Sequence, residues 1–150
     1  MYKYISKNEK ETNEFAKKIS KALKKGYVIS LKGEMGAGKT TFTKMIADSL
    51  NIKDNVTSPT FSLVNTYYGN IELNHLDLYR LEDESEVETI DIDNYYYPSG
   101  VTIVEWAERA LNYLPRDYIE ISINKLGETE REFVIEGKNN KEKELIERLK

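Results

Sequence analysis

The chain has 150 residues, 39% hydrophobic and 32% charged, with 26 acidic against 22 basic side chains and a net charge of −4. That balance excludes a general basic surface for nucleic acid, and the absence of cysteine excludes a disulfide framework or a thiolate metal site. No apolar run approaches the roughly 20 residues of a membrane span, and Met1 to Ile5 lack the apolar core of a secretion signal, so one cytoplasmic domain with no membrane contact is expected.

Tyr2 to Ile5 reads as a short strand. Ser6-Lys7-Asn8-Glu9 fits a capping box, and Phe15, Ile19, Ala22 and Leu23 then form one helical stripe that Gly26 ends. Tyr27 to Leu31 is an apolar run of the kind a buried strand shows. Phe42, Met45, Ile46 and Leu50 mark a second helix reaching about Leu50. Asn55 to Thr60 is a polar loop holding Pro59. Phe61 to Tyr68 and Ile71 to Leu76 are β-type runs separated by the hairpin signal Gly69-Asn70. Asp83 to Ile90 reads as a short acidic helix, and Tyr95-Tyr96-Tyr97 as packing with a polar rim. Val101 to Val104 is a strand bounded by Gly100 and Glu105. Ile119 to Ile123 and Glu132 to Ile135 are expected to pair across a turn near Gly127. Leu145, Ile146 and Leu149 give the charged tail, Lys138 to Lys150, one helical stripe. There is no repeat and no linker-like stretch.

Residues 33 to 40, Gly33-Glu34-Met35-Gly36-Ala37-Gly38-Lys39-Thr40, complete the pattern G-x-x-x-x-G-K-[ST] between a strand and a helix. That context is the one a phosphate-binding loop needs. Gly33, Gly36 and Gly38 allow tight turns that aim backbone N–H groups inward, and the helix N-terminus adds its positive end. Ala37 and Thr41 complete the nucleotide-binding set. Lys39, expected to stand exposed in the cradle, brings a charge to the β- and γ-phosphates, and the Thr40 hydroxyl suits Mg²⁺. Two acids end β-like runs: Asp77 after Ile71 to Leu76, and Glu105 after Val101 to Val104. Alone, each is more often a solvated cap. Ser58-Pro59-Thr60 alone is a rigid turn. His75, the only histidine, is by itself structural, and Trp106 is by itself core.

Four ordered blocks change that reading. Leu31 to Phe42 resembles the L-x-G-D-L-G-A-G-K-T-T-F segment of the bacterial TsaE (YjeE) family. Val56 to Val64 resembles its V-x-S-P-T-F-x-L-V loop, Asn74 to Leu81 its H-x-D-L-Y-R-L block, and Ile103 to Trp106 its I-E-W block. The likeness spans roughly residues 6 to 135. Departures are Glu34-Met35 for Asp-Leu, Asp91 where a glycine is expected, and Ala107 for a common proline.

The resemblance implies an α/β, single-domain P-loop NTPase fold, with a mixed central sheet flanked by helices, parallel near the phosphate loop and partly antiparallel elsewhere. It implies an ATP- and Mg²⁺-dependent hydrolase serving attachment of a threonylcarbamoyl group to the adenosine beside the anticodon. The partner it implies is the TsaB–TsaD complex, with tRNA reached only through that complex. Carried onto this chain, Lys39, Asp77 and Glu105 become catalytic, Thr40 and Glu105 metal-binding, and Ser58, Thr60 and Trp106 switch or partner residues. Asp77 takes the water-positioning role, and the two acids can exchange roles. Adenine contacts stay open between Glu9 to Thr12 and the hairpin near Arg131. A GTPase would carry Asn-Lys-x-Asp, but Asn124-Lys125-Leu126-Gly127 lacks the aspartate. A small-molecule kinase would gather arginines over the phosphates, but arginines 80, 109, 116, 131 and 148 are scattered. A nucleotide-regulated binding module with little hydrolysis is the nearest alternative.

Overall fold

The computed structural model describes residues 1–59 and 63–150. The strands are β1 (Tyr2–Ser6), β2 (Val28–Lys32), β3 (Val64–Tyr67), β4 (Leu73–Asp77), β5 (Val101–Glu105), β6 (Ile119–Lys125) and β7 (Arg131–Ile135). The helices are α1 (Glu9–Ala22), α2 (Lys39–Ser49), α3 (Asp93–Tyr96) and α4 (Asn140–Leu149), with 3-10 segments at Glu84–Ile90 and Ala107–Tyr113.

Among the described residues, the strands form one sheet in the order β1-β7-β6-β2-β5-β4-β3. The middle four, β6-β2-β5-β4, are parallel; β1, β7 and β3 pair antiparallel at the edges. This is the mixed sheet expected. Parallel strands need cover on both faces, which is why Val28-Ile29-Ser30-Leu31 and all of Val101–Glu105 are buried. Alternation sends Ile29, Leu31 and Ile103 into a layer with α1, α2 and α4. Val28 and Val104 go to the opposite layer, with Leu76, Val87 and Tyr96. Phe42 of α2 lies 5.8 Å from Phe15 and 4.8 Å from Phe133 between ring centres. This aromatic contact ties the helix behind the glycine loop to α1 and β7.

Local differences from the sequence reading have physical causes. Ser6 does not cap α1, because it extends β1 opposite Arg131 and its hydroxyl pairs with that of Thr12 at 2.6 Å. The cap is Asn8, whose side chain accepts from the Glu11 N–H at 2.9 Å while Glu11 accepts from the Lys7 N–H at 2.8 Å. The first helix also stops at Ala22, before Gly26. The β3–β4 connection is longer than Gly69-Asn70, because the Asn70 N–H donates to the Leu50 carbonyl at 2.7 Å and docks the turn on the end of α2. Residues 60–62, including the start of the first β run, lie outside the described residues. The acidic segment is a 3-10 turn with a capping box from Asp83 to Glu86, and Asp91 after it has φ +56°. A left-handed residue there explains the family's glycine, and aspartate tolerates that region better than most side chains. Ala107 opens the second 3-10 segment, where proline would be equally at home.

Candidate functional site

The turn from β2 into α2 needs two glycines in the left-handed region, Gly36 at φ +84° and Gly38 at φ +103°. Gly33 is required for another reason: a Cβ there would stand 2.7 Å from the Ile123 carbonyl oxygen of β6. The loop is braced from the far hairpin. Arg131 Nε donates to the Ala37 carbonyl at 2.8 Å, and its Nη1 donates to the carbonyls of Gly127 and Glu130, each at 3.0 Å. The peptide bond is planar and trans, so a carbonyl held toward Arg131 turns the following N–H, that of Gly38, the opposite way. The opening N–H groups of α2 have no partner within the helix, and this end is where an anion is favoured.

Lys39 begins α2 and is only 5% exposed, not the open cradle residue expected from the motif. Its ammonium donates to the Gly33 carbonyl at 2.7 Å and lies 3.7 Å from the centre of the Trp106 ring. That cover explains the burial. Desolvation lowers its pKa, against the opposing pull of Glu105, Glu108 and Asp77. Trp106 has φ +61° and packs at 5.0 Å from Tyr79, with the Arg109 guanidinium 5.3 Å from the Tyr79 ring.

The two acids meet because β4 and β5 are parallel and in register. Asp77 is paired with Glu105, so the two side chains share a face. Glu105 is 3% exposed and accepts from the Thr40 hydroxyl at 3.1 and 3.2 Å. His75 Nε2 lies 2.6 Å from Glu105 Oε2. The Ser58 hydroxyl is 3.0 Å from that of Thr40. Asp77 is half-buried and accepts from the Tyr79 N–H at 3.0 Å. Burial raises its pKa; the Tyr79 N–H opposes this and the nearby Glu105 charge adds to it.

Gly36, Gly38, Lys39, Thr40, Thr41, Ser58, Asp77, Glu105 and Trp106 all line one cleft of about 1110 Å³. Gly33 and Ala37 act from behind it, through the carbonyls that hold Lys39 and Arg131. Thr60, the second hydroxyl of the proposed switch, lies outside the described residues. Arg131 is on the cleft wall, whereas Glu11 and Thr12 are engaged at the start of α1. Tyr79, Arg80 and Arg131 also reach the cleft, and His75 stands behind it. His75 carried a readable signal, since it lies two residues before Asp77 on one strand and hence on the same face.

The donor set fits Mg²⁺. Thr40 and Glu105 offer hard oxygens, with Ser58 and Asp77 beside them, and no group of three or more His, Cys, Asp or Glu forms a cage among the described residues. Mg²⁺ favours such a site, taking one or two protein oxygens and filling its remaining positions with phosphate and water.

A family model described as "Threonylcarbamoyl adenosine biosynthesis protein TsaE" matches residues 6–133. The chain belongs to the TsaE family. The TsaE protein of Bacillus subtilis is 40% identical over 148 residues, covering 98% of this chain and 92% of the relative. That of Aquifex aeolicus is 43% identical, covering 70% and 76%. Among solved structures, Bacillus subtilis YdiB superposes with a TM-score of 0.80 at 34% identity, covering 99% of this chain and 93% of the other. The TsaE family works in tRNA threonylcarbamoyladenosine biosynthesis. Among the described residues, no helix is long and apolar enough to cross a membrane.

Proposed function

We propose that this chain is a single-domain, Mg²⁺-dependent ATP hydrolase of the cytoplasm whose nucleotide cycle acts on the TsaB–TsaD complex in threonylcarbamoyladenosine synthesis. It meets tRNA only through that complex. The observation that carries the reading is the contact of the Thr40 hydroxyl with both oxygens of buried Glu105, directly behind the glycine loop. A glycine cradle alone binds phosphate; a buried carboxylate on the helix threonine adds a cation site beside it.

In this reading the loop backbone and Lys39 hold the β- and γ-phosphates, while Thr40 and Glu105 hold the cation. Mg²⁺, when bound, neutralises charge on the phosphate oxygens. Asp77 orients the attacking water, for which a half-buried carboxylate with a raised pKa is suited. Ser58, against Thr40, reports the state of the site to the loop that contains it. Trp106, beside Lys39, carries that state to the cleft rim.

ATP turnover by the purified chain tests this, measured with and without Mg²⁺ and with and without TsaB–TsaD. Slow Mg²⁺-dependent hydrolysis accelerated by the complex is expected. ATP binding with no turnover in any condition would leave a nucleotide-regulated binding module instead.

A further inference from the structure

The geometry points to His75 as a positioning residue that holds the Glu105 carboxylate in the orientation a cation at Thr40 requires. This inference rests on the metal reading of Glu105.

His75 lies in the middle of β4 with no exposed surface, paired with Ile103 of the neighbouring strand β5, which is paired in turn with Ile29 of β2. An imidazole in that position is costly unless its polar atoms are used. One is used: Nε2 lies 2.6 Å from Glu105 Oε2. The other, Nδ1, is buried and has no hydrogen-bond partner among the described residues. A proton on Nδ1 would be an orphaned buried donor, and would leave two acceptors facing each other at 2.6 Å. The ring proton therefore belongs on Nε2, and the whole polar capacity of the side chain is spent on Glu105.

The consequence for Glu105 is geometric. A glutamate has three rotatable side-chain bonds and can present its oxygens in many directions. Here Oε2 is fixed from inside the sheet by His75 and from the cleft by Thr40, at 3.1 Å, while the hydrogen bond of Oε1 is to Thr40, at 3.2 Å. The imidazole thus restrains the carboxylate through Oε2, and Glu105 with Thr40 would hold the cation. Among the described residues Asp77 has no such brace, since its hydrogen bond comes from the backbone N–H of Tyr79, two residues on. Carboxylates that bind metals are commonly oriented this way by a hydrogen-bonding neighbour.

The test compares His75→Leu, which keeps bulk without a donor, with His75→Gln, whose amide nitrogen can stand near the Nε2 position. Binding of a non-hydrolysable ATP analogue is measured by titration calorimetry across Mg²⁺ concentrations and in EDTA. In His75→Leu the Mg²⁺ needed for half-maximal enhancement should rise about tenfold to a hundredfold. Affinity in EDTA should stay that of the parent, and His75→Gln should recover most of the loss. Unchanged Mg²⁺ dependence in His75→Leu, or an equal loss in EDTA, overturns the inference. If Glu105→Gln itself keeps the parental Mg²⁺ dependence, the metal reading falls and takes this inference with it. The unmodified protein supplies a check that needs no variant. It has one histidine, so its imidazole ¹H–¹⁵N spectrum is a single spin system. A proton on Nε2 is expected, and a proton on Nδ1 overturns the assignment.

Discussion

The Lys39 ammonium stands 3.7 Å from the centre of the Trp106 ring. Lys39 is the first residue of α2, and Trp106 comes directly after the last residue of β5, Glu105. One side chain therefore joins the phosphate loop to the strand end that carries the buried carboxylate. A cation–π contact is worth about 0.5–2 kcal/mol. A phosphate that draws the ammonium away must replace that contact, so on the proposed function Trp106 would sense occupancy of the loop through Lys39.

Trp106 is the only tryptophan, so its emission is an internal reporter. Titration with ATP and Mg²⁺ should change emission in the parent. Lys39→Ala should weaken ATP binding at least tenfold, since the charge that meets the phosphates is gone, a loss of roughly 1.5–3 kcal/mol for hydrogen bonds to charged groups. It should also shift the emission of the free protein. Calorimetry and fluorescence together decide: unaltered emission at saturating ATP would separate Trp106 from the site.

Glu105→Gln and Asp77→Asn should fail in different ways. Glu105→Gln removes the carboxylate against Thr40 and should raise the Mg²⁺ requirement for ATP binding. Asp77→Asn should leave binding of ATP with Mg²⁺ nearly intact and slow turnover about a hundredfold, the scale of a lost general base. Binding and partner-stimulated turnover against Mg²⁺ concentration distinguish them. The reverse pattern would exchange the two roles, and parental behaviour in both would return them to ordinary strand-end acids.

Arg131→Gln tests the brace on the loop. The guanidinium spans the Ala37 carbonyl and the carbonyls of the β6–β7 turn, and glutamine cannot reach both. The Gly38 N–H then loses its fixed direction. ATP affinity should fall about tenfold, with thermal stability lowered by roughly 1–2 kcal/mol. Calorimetric ATP titration of the folded variant gives the answer, and parental affinity would show that the loop holds its shape unaided.

These residues differ in how far they are legible in the sequence. The β2–loop–α2 unit is readable because its signals are local: an apolar run, glycines where φ turns positive, then helical spacing. Asp77 and Glu105 are each readable as strand-end acids, but their shared face depends on the register of β4 on β5, which no local pattern encodes. Arg131 reaches Ala37 across 94 positions, so only the folded hairpin reveals it. Ser6 shows local and tertiary preference in conflict: its spacing suits a cap, and pairing with β7 keeps it in a strand. The segments Asp93–Tyr96 and Ala107–Tyr113 are too short for a helical period to register, and they are visible only as an aromatic run and as the residues after Glu-Trp.

Glu142 gives a pH signature away from the cleft. It is 2% exposed at the start of α4, where it accepts from the Gly137 N–H at 3.0 Å. Burial raises its pKa above the ordinary 4.5, although the backbone N–H groups oppose this. The folded state then holds the proton more tightly than the unfolded state, so stability falls as pH rises from 4.5 through the raised value. Glu142→Gln should gain in melting temperature relative to the parent as pH rises through that window, and the two should converge below it. A difference that is constant from about pH 4 to 7 would show that the carboxyl titrates alike in both states.

The coupling of nucleotide to partner is the most demanding expectation. ATP can change the affinity for TsaB–TsaD only if it binds one arrangement of the chain better than another, and the partner must then change ATP affinity by the same factor. Ser58 is the candidate link, with its hydroxyl 3.0 Å from that of Thr40 and the fixed φ of Pro59 next to it in the chain. On the proposed reading a cation would share the Thr40 hydroxyl with Ser58, which couples the two. Partner titrations with ATP, ADP and no nucleotide should therefore differ by about 5- to 150-fold, the usual span of such coupling. Ser58→Ala should compress those differences while changing ATP affinity of the isolated chain less than about threefold. The double variant with Thr60→Ala should compress them further. Equal partner affinity in all three nucleotide conditions, with turnover unmoved by the partner, would remove the coupled mechanism; a compressed response in Ser58→Ala alone would place the link at the Ser58–Thr40 contact.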